Sequence, residues 1–181
     1  MIPDDENIPM LWDKYKLPPY KRIHCAMVRK IAVRIAKAIN KKNPNHPVNE
    51  GILNASALLH DIDKNIEKLP GEHHPDAGVR ILREEGMDEV AEVIRTHPLH
   101  MICQDSTAPE TIEQQILFIA DKMTKQDVIG MEKRFELWRH EDTDERSQHV
   151  LEQSYPKVLR LRDDILWKAG MTEEQLINLM K

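Results

Sequence analysis

The chain has 181 residues and a formal net charge of −5, from 26 Lys and Arg against 31 Asp and Glu. That balance excludes a general nucleic-acid-coating protein, which carries a basic excess, while leaving room for a local basic pocket. With 40% hydrophobic residues, enough for one domain with a real core, and no repeat or biased tract, the disordered and fibrous classes are excluded as well.

The first residues, with Asp4-Asp5-Glu6, lack the basic and apolar regions of a signal peptide. No run approaches the roughly 20 apolar residues of a membrane span. A soluble, cytoplasmic protein is expected. Two cysteines, Cys25 and Cys103, cannot make a disulfide framework and read as buried or idle thiols.

Pro18-Pro19 closes a short N-terminal segment, residues 1–19. From Tyr20 to about Lys42, Ile23, Met27, Ile31, Ile35 and Ala38 or Ile39 recur at helical spacing, and Asn43-Pro44 stops the run. Asn49 is a natural N-cap for a second helix, Glu50 to about Asp63, nearly apolar around Leu53, Ala57, Leu58 and Leu59 and therefore central. A third helix is expected from His74 or Pro75 to Glu85, with Gly86 in the position that favours a left-handed residue. Asp88 is expected to cap a fourth helix that ends at Pro98, followed by a loop to Pro109. Thr107 is expected to cap a fifth helix carrying Ile112, Ile116, Ile119 and Met123. Further helices are expected over 125–140 and 147–169, and a last short one opens on the capping box Thr172 to Gln175. No alternating strand pattern or hairpin turn occurs, so the fold class is all-α. Residues 20–125 form the expected core and 126–181 a helical extension packed on it, with Trp138, Tyr155 and Trp167 as large anchors, either in the core or at an oligomer surface.

Polar residues on apolar stripes carry the chemistry. His24 shares a stripe with Met27, Ile31 and Ile35. His60-Asp61 follows the most apolar helix, His97 is the polar member of a stripe with Val90, Val93 and Ile94, and Asp121 follows Ile116 to Ala120. A buried carboxylate needs a partner, because an unpaired buried charge is expensive. Each residue alone reads as a buried ion pair or a cap. Four helices each bringing His or Asp to the core point instead to a shared divalent cation, for which imidazole and carboxylate are suitable ligands.

The ordered pattern His24, His60-Asp61, Asp121 resembles the HD-domain superfamily of metal-dependent phosphohydrolases. Ala57-Leu58-Leu59-His60-Asp61-Ile62-Asp63-Lys64 is close to its Leu-Leu-His-Asp-Ile-Gly-Lys signature, with Asp63 in place of the frequent Gly. His74-Pro75-Asp76-Ala77-Gly78-Val79-Arg80-Ile81-Leu82 resembles a second block, and Phe118-Ile119-Ala120-Asp121 the closing one. The resemblance implies two metal ions. Asp61 would bridge them; His24, His60 and Asp121 would hold one, and His74 and His97 the other, with His73 as the alternative to His74 by a one-residue slip. Fe or Mn would be favoured, with Zn, Co, Ni or Mg as alternatives. The resemblance further implies hydrolysis of a phosphoester or phosphoanhydride by a metal-bound hydroxide, with Asp61 and Lys64 catalytic, Lys64 holding a substrate phosphate, and Asp63 orienting a ligand or relaying a proton. Lys122, Lys125 and Arg95 could supply positive charge near the site, although basic side chains on helix surfaces are usually just solvated.

The expected partner is a small phosphorylated substrate of the nucleotide class, with no membrane, no extended nucleic-acid surface, and a homodimer as an option. His100 reads as a surface or pocket-rim residue, and His46, His140 and His149 as solvated. A non-hydrolytic metal- or nucleotide-binding regulatory module and a dinuclear iron oxygenase of the HD type are the alternative readings.

Overall fold

The computed structural model describes residues 1–180 and consists, among them, of helices joined by loops, with one isolated antiparallel bridge between Thr124 and Val128. The α-helices are α1 (Ile8–Lys14), α2 (Pro19–Lys42), α3 (Glu50–Leu59), α4 (Asp76–Glu84), α5 (Asp88–Ile94), α6 (Ile112–Lys122), α7 (Met131–Glu141), α8 (Glu145–Ala169) and α9 (Glu173–Met180), with a 3₁₀ turn at Leu99–Cys103 between α5 and α6. The all-α class read from the sequence is what the structure shows. No helix among the described residues is long and apolar enough to cross a membrane.

Helix α2 is the axis of the molecule, about 36 Å long from the α-helical rise. Its 24 residues bury Val28, Ile31, Ala32, Ile35, Ala36 and Ile39 on one stripe, and α3, α6, α8 and α9 pack against it. Helix α3 buries Leu53, Ala55, Ala57, Leu58 and Leu59 against α2, α5, α6 and α1. Phe118 and Phe135 are the largest fully buried side chains, so the core is aliphatic around two aromatic pillars.

Helix boundaries follow capping chemistry, and here several expectations are corrected. Asn49 caps α3, its side chain accepting from the Ile52 amide, as expected. That helix stops at Leu59, however, and His60 to Asp63 lie in successive turns rather than in its last turn. Helix α6 is capped by Thr111 in a full capping box with Gln114; Thr107 instead donates to the Met101 carbonyl at 2.8 Å. Asp88 is the first residue of α5 rather than its cap. The expected loop from Pro98 contains the 3₁₀ turn. Helix α7 begins at Met131, because residues 123–130 form a tight loop closed by the Thr124–Val128 bridge. Asp144 caps α8, which begins at Glu145, two residues before the expected start. The N-terminal segment contains α1, which buries Ile8 and Leu11. Trp167 is 75% exposed, so it is not the core anchor expected of it.

Candidate metal centre

The end of α3, the turns after it, the start of α4, the end of α5, one end of α2 and the end of α6 meet at one place. His24 comes from α2, His60 and Asp61 from the turns after α3, His74 from the loop before α4, His97 from just after α5, and Asp121 from α6. Among the described residues three overlapping donor groups form, with the donor atoms of each within 4.8 Å of one another: His24, His60 and Asp121; Asp61, His74 and His97; and Cys25, His60 and Asp61. The first two hold the His and Asp residues singled out from the sequence.

Asp61 lies between these two groups. Its Oδ2 faces His24 Nε2 at 4.0 Å and His60 Nε2 at 3.8 Å, and its Oδ1 faces His74 Nε2 at 3.6 Å and His97 Nε2 at 4.0 Å. Asp121 Oδ1 lies 3.0 Å from His24 Nε2 and 3.6 Å from His60 Nε2. Of the two adjacent histidines, His74 points into the cluster; His73 is exposed.

The other ring nitrogen of each histidine fixes the tautomer. Nδ1 of His24 faces the Lys125 carbonyl at 2.6 Å, that of His60 the Ala57 carbonyl at 2.9 Å, and that of His97 the Ile94 carbonyl at 2.6 Å. Nδ1 of His74 faces the Asp63 carboxylate at 2.7 Å. These partners only accept, so Nδ1 carries a proton in each ring and Nε2 points inward. Against burial, Cys25, Asp61 and Asp121 raise His60 well above the ordinary imidazole range, so without a metal its Nε2 holds a proton as well. The inward nitrogens then meet: His24 and His60 Nε2 are 3.3 Å apart, and His74 and His97 Nε2 are 2.9 Å apart. Nitrogens this close need a cation beside them, a proton or a metal ion, and the outer hydrogen bonds are of the type that orients metal-ligating imidazoles. The donor chemistry therefore fits a divalent metal.

Charge in the cluster is balanced by lysines, one of which, Lys21, no sequence pattern singles out. Lys21 Nζ donates to Asp61 Oδ2 at 2.7 Å, and Lys64 Nζ lies 3.4 Å from Asp61 Oδ1. Burial alone would raise the Asp61 carboxyl, but His60, Lys64 and Lys21 hold it far below the usual carboxylate range. Asp121 is likewise held down against burial by Lys122, His24 and His60. Burial, with His60, His74 and Lys122 nearby, pushes His97 well below the ordinary imidazole range and keeps it neutral.

Of the two readings the sequence left for Lys122, the structure takes the one at the site rather than the solvated surface. Lys122 is 3% exposed, donates to the His97 carbonyl at 2.6 Å and pairs with Asp121. A signal was present: Lys122 falls four residues after Phe118 on the buried stripe of α6, and its ammonium lies over that ring. Cys25, read as a buried or idle thiol, is fully buried beside His60 and Asp61, with its sulfur within 4.8 Å of a donor atom of each. Lys125 is exposed and paired with Glu141, Arg95 pairs with Glu92, and His100, His46, His140 and His149 are exposed.

An all-helical bundle with histidines and aspartates from five stretches of chain facing one another defines a class of helical proteins built around a His/Asp centre. The HD domain family matches residues 22–125, more than half of the chain, and the chain belongs to that family. The chain is also 32% identical over 134 residues to the tRNA (cytidine(56)-2′-O)-methyltransferase of Thermoplasma volcanium. That alignment covers 68% of this chain but only 37% of the relative, so the chain spans little more than a third of that protein's length. No solved structure matches the chain.

Proposed function

We propose that the chain is a metal-dependent phosphohydrolase acting on a small phosphorylated substrate of the nucleotide class. The observation that carries this reading is the inward convergence of four imidazole Nε2 atoms on the two oxygens of Asp61. In this proposal His24, His60 and Asp121 hold one ion, His74 and His97 the second, and Asp61 serves both. Bound there, divalent ions supply Lewis acidity toward phosphoryl oxygens and lower the pKa of coordinated water toward 7.

The chain's own residues set up the rest. Asp61 stays anionic at neutral pH because Lys21 and Lys64 flank it. The least buried members of the cluster are His74, Lys21 and Lys64, with side chains 22%, 24% and 28% exposed. The mouth is therefore basic although the whole chain is acidic, and an anion is the ligand that such a rim attracts. Lys64 is assigned to a substrate phosphoryl oxygen, since its ammonium is already turned toward Asp61. Asp63, fully buried, orients His74 through Nδ1, the ligand-orienting role rather than the proton relay.

The test is elemental analysis of protein purified without added metal, then phosphate release from a panel of nucleotides and phosphoesters with Mn or Fe. Because the Thermoplasma volcanium relative is named for tRNA, a tRNA arm belongs in the panel. Phosphate release that disappears in Asp61→Asn supports the proposal. Nucleotide binding without turnover points to a regulatory module, and oxygen consumption without phosphate release to the iron-oxygenase chemistry.

A further inference from the structure

Arg134 lies on α7, beyond the segment that the HD family matches. Its side chain is only partly exposed and its Nε is buried with no hydrogen-bond partner. Among the described residues it forms no ion pair; the nearby Glu141 is taken by Lys125. Such isolation is unusual, because an arginine removed from water is normally held by a carboxylate fork or by several acceptors. What holds it is an aromatic face: the guanidinium carbon lies 4.4 Å from the centroid of the Trp138 ring, one turn further along the helix.

The position is set by the chain. The amides of Ile129 and Gly130 donate to the Met123 carbonyl at 2.9 and 3.2 Å, and the Arg134 amide donates to the Gly130 carbonyl at 3.1 Å. The first turn of α7 thus hangs from a residue two places after Asp121. Burial disfavours the charged guanidinium, and the groups that act to keep it charged are Asp121, Glu141, Asp142 and Asp61, two of them members of the metal cluster.

We propose that Arg134 is a substrate-binding residue of this centre, its guanidinium taking phosphoryl oxygens of the bound anion in two parallel N–H···O bonds. The bonds would come from the two terminal nitrogens, which also have no partner among the described residues and, unlike Nε, are not fully buried. Trp138 holds the planar group in one orientation before the substrate arrives, which reduces the ordering needed on binding. The C-terminal helices become part of the substrate site, and the phosphate would be gripped from α7 on one side and by Lys64 on the other. The inference deepens the phosphohydrolase reading and rests on it for the identity of the anion.

The test compares metal-loaded wild type with Arg134→Met, which keeps the stem that packs on Trp138, and Arg134→Lys, which keeps the charge without the fork. Arg139→Gln is the control, an exposed arginine on the same helix lying over Tyr155. Inorganic phosphate is the probe, titrated calorimetrically into Mn-loaded protein, with p-nitrophenyl phosphate for turnover. Arg134→Met should weaken phosphate binding about 10- to 100-fold, the range for hydrogen bonds between charged groups. Arg134→Lys should fall between, and Arg139→Gln should match wild type. Metal content should be unchanged in all of them. Without phosphate, Arg134→Met should melt at or above the wild-type temperature, because an unpaired buried charge has been removed; a merely structural arginine would lower it.

Undiminished phosphate affinity in Arg134→Met overturns the proposal, as does a loss of phosphate affinity that tracks a loss of metal. Should wild type bind phosphate through Arg134 yet hydrolyse nothing, this inference stands and the phosphohydrolase reading falls. If turnover and phosphate binding both survive Arg134→Met, the phosphohydrolase reading stands and this inference falls. If wild-type protein binds no phosphate at all, both fail.

Discussion

The two halves of the metal cluster are built from the same residue types but held differently. In the half formed by His24, His60 and Asp121, both imidazoles are oriented by main-chain carbonyls, and the His60 side chain is 1% exposed. In the other half, His97 is also oriented by a carbonyl, but His74 is oriented by the side chain of Asp63 and is 22% exposed. A carbonyl partner comes with the fold and survives any side-chain substitution. A carboxylate partner is removed by one. The first half is therefore fixed by the backbone of the bundle, and the second is adjustable. On this reading the two proposed ions bind unequally, the one near His74 more weakly.

Asp61→Asn should have the largest effect, since Asp61 faces both halves. Elemental analysis should find neither ion at stoichiometric level, and turnover should be lost. Retention of one full equivalent would show that Asp61 serves one half only, and the symmetry of the comparison would break there.

Lys122→Met comes next and acts across the halves. Lys122 links the His97 carbonyl in one half to the Asp121 carboxylate in the other. Removing one member of a buried ion pair costs about 3–5 kcal/mol, because the remaining charge is left uncompensated. Urea unfolding of the metal-free protein should show a loss of that order. In the metal-loaded protein the loss should shrink, since bound cations would compensate Asp121 in its place. An equal loss in both forms would mean that no cation reaches Asp121.

Asp63→Asn tests the comparison most directly. Loss of a carboxylate behind a ligating histidine typically costs 10- to 100-fold in metal affinity. A Co titration followed by visible absorption should resolve two binding steps in wild type and weaken only the second in the variant. Equal weakening of both would show that the two ions do not load independently.

How much of this was legible in the sequence depends on whether a residue's partner is local. Asn49 and Thr172 announce caps because the groups they serve are three residues away. His24, His60, His97 and Asp121 could be picked out because each interrupts an apolar stripe, and their order in the chain resembles a known family. Lys21 was not legible: it is an ordinary helix-surface type, and what makes it part of the cluster is the approach of Asp61 from elsewhere in the chain. Thr107 and Thr111 show the same limit on a smaller scale. Both can cap, and Thr111 does so because Gln114 stands three residues later to complete the box.

Gly78→Ala should give the smallest effect and probes how Asp63 is placed. Gly78 is buried in α4, and a Cβ there would lie 3.3 Å from Ile94 Cδ1, 3.5 Å from Ile62 Cγ2 and 3.6 Å from Asp63 Cβ. The helix that follows His74 therefore rests directly on the turn that carries Asp63. Ala in place of Gly inside a helix gains about 1 kcal/mol, while a methyl group forced into a packed contact costs about 1–3 kcal/mol. The tip of Ile94 can yield more readily than the backbone beside Asp63, so a net loss of about 1 kcal/mol is expected. With it should come a few-fold weakening of the second Co step and no change in the first. A variant that gains stability and loads both ions normally would show that Ile94 absorbs the whole strain and that the placement of Asp63 does not depend on the close approach of α4.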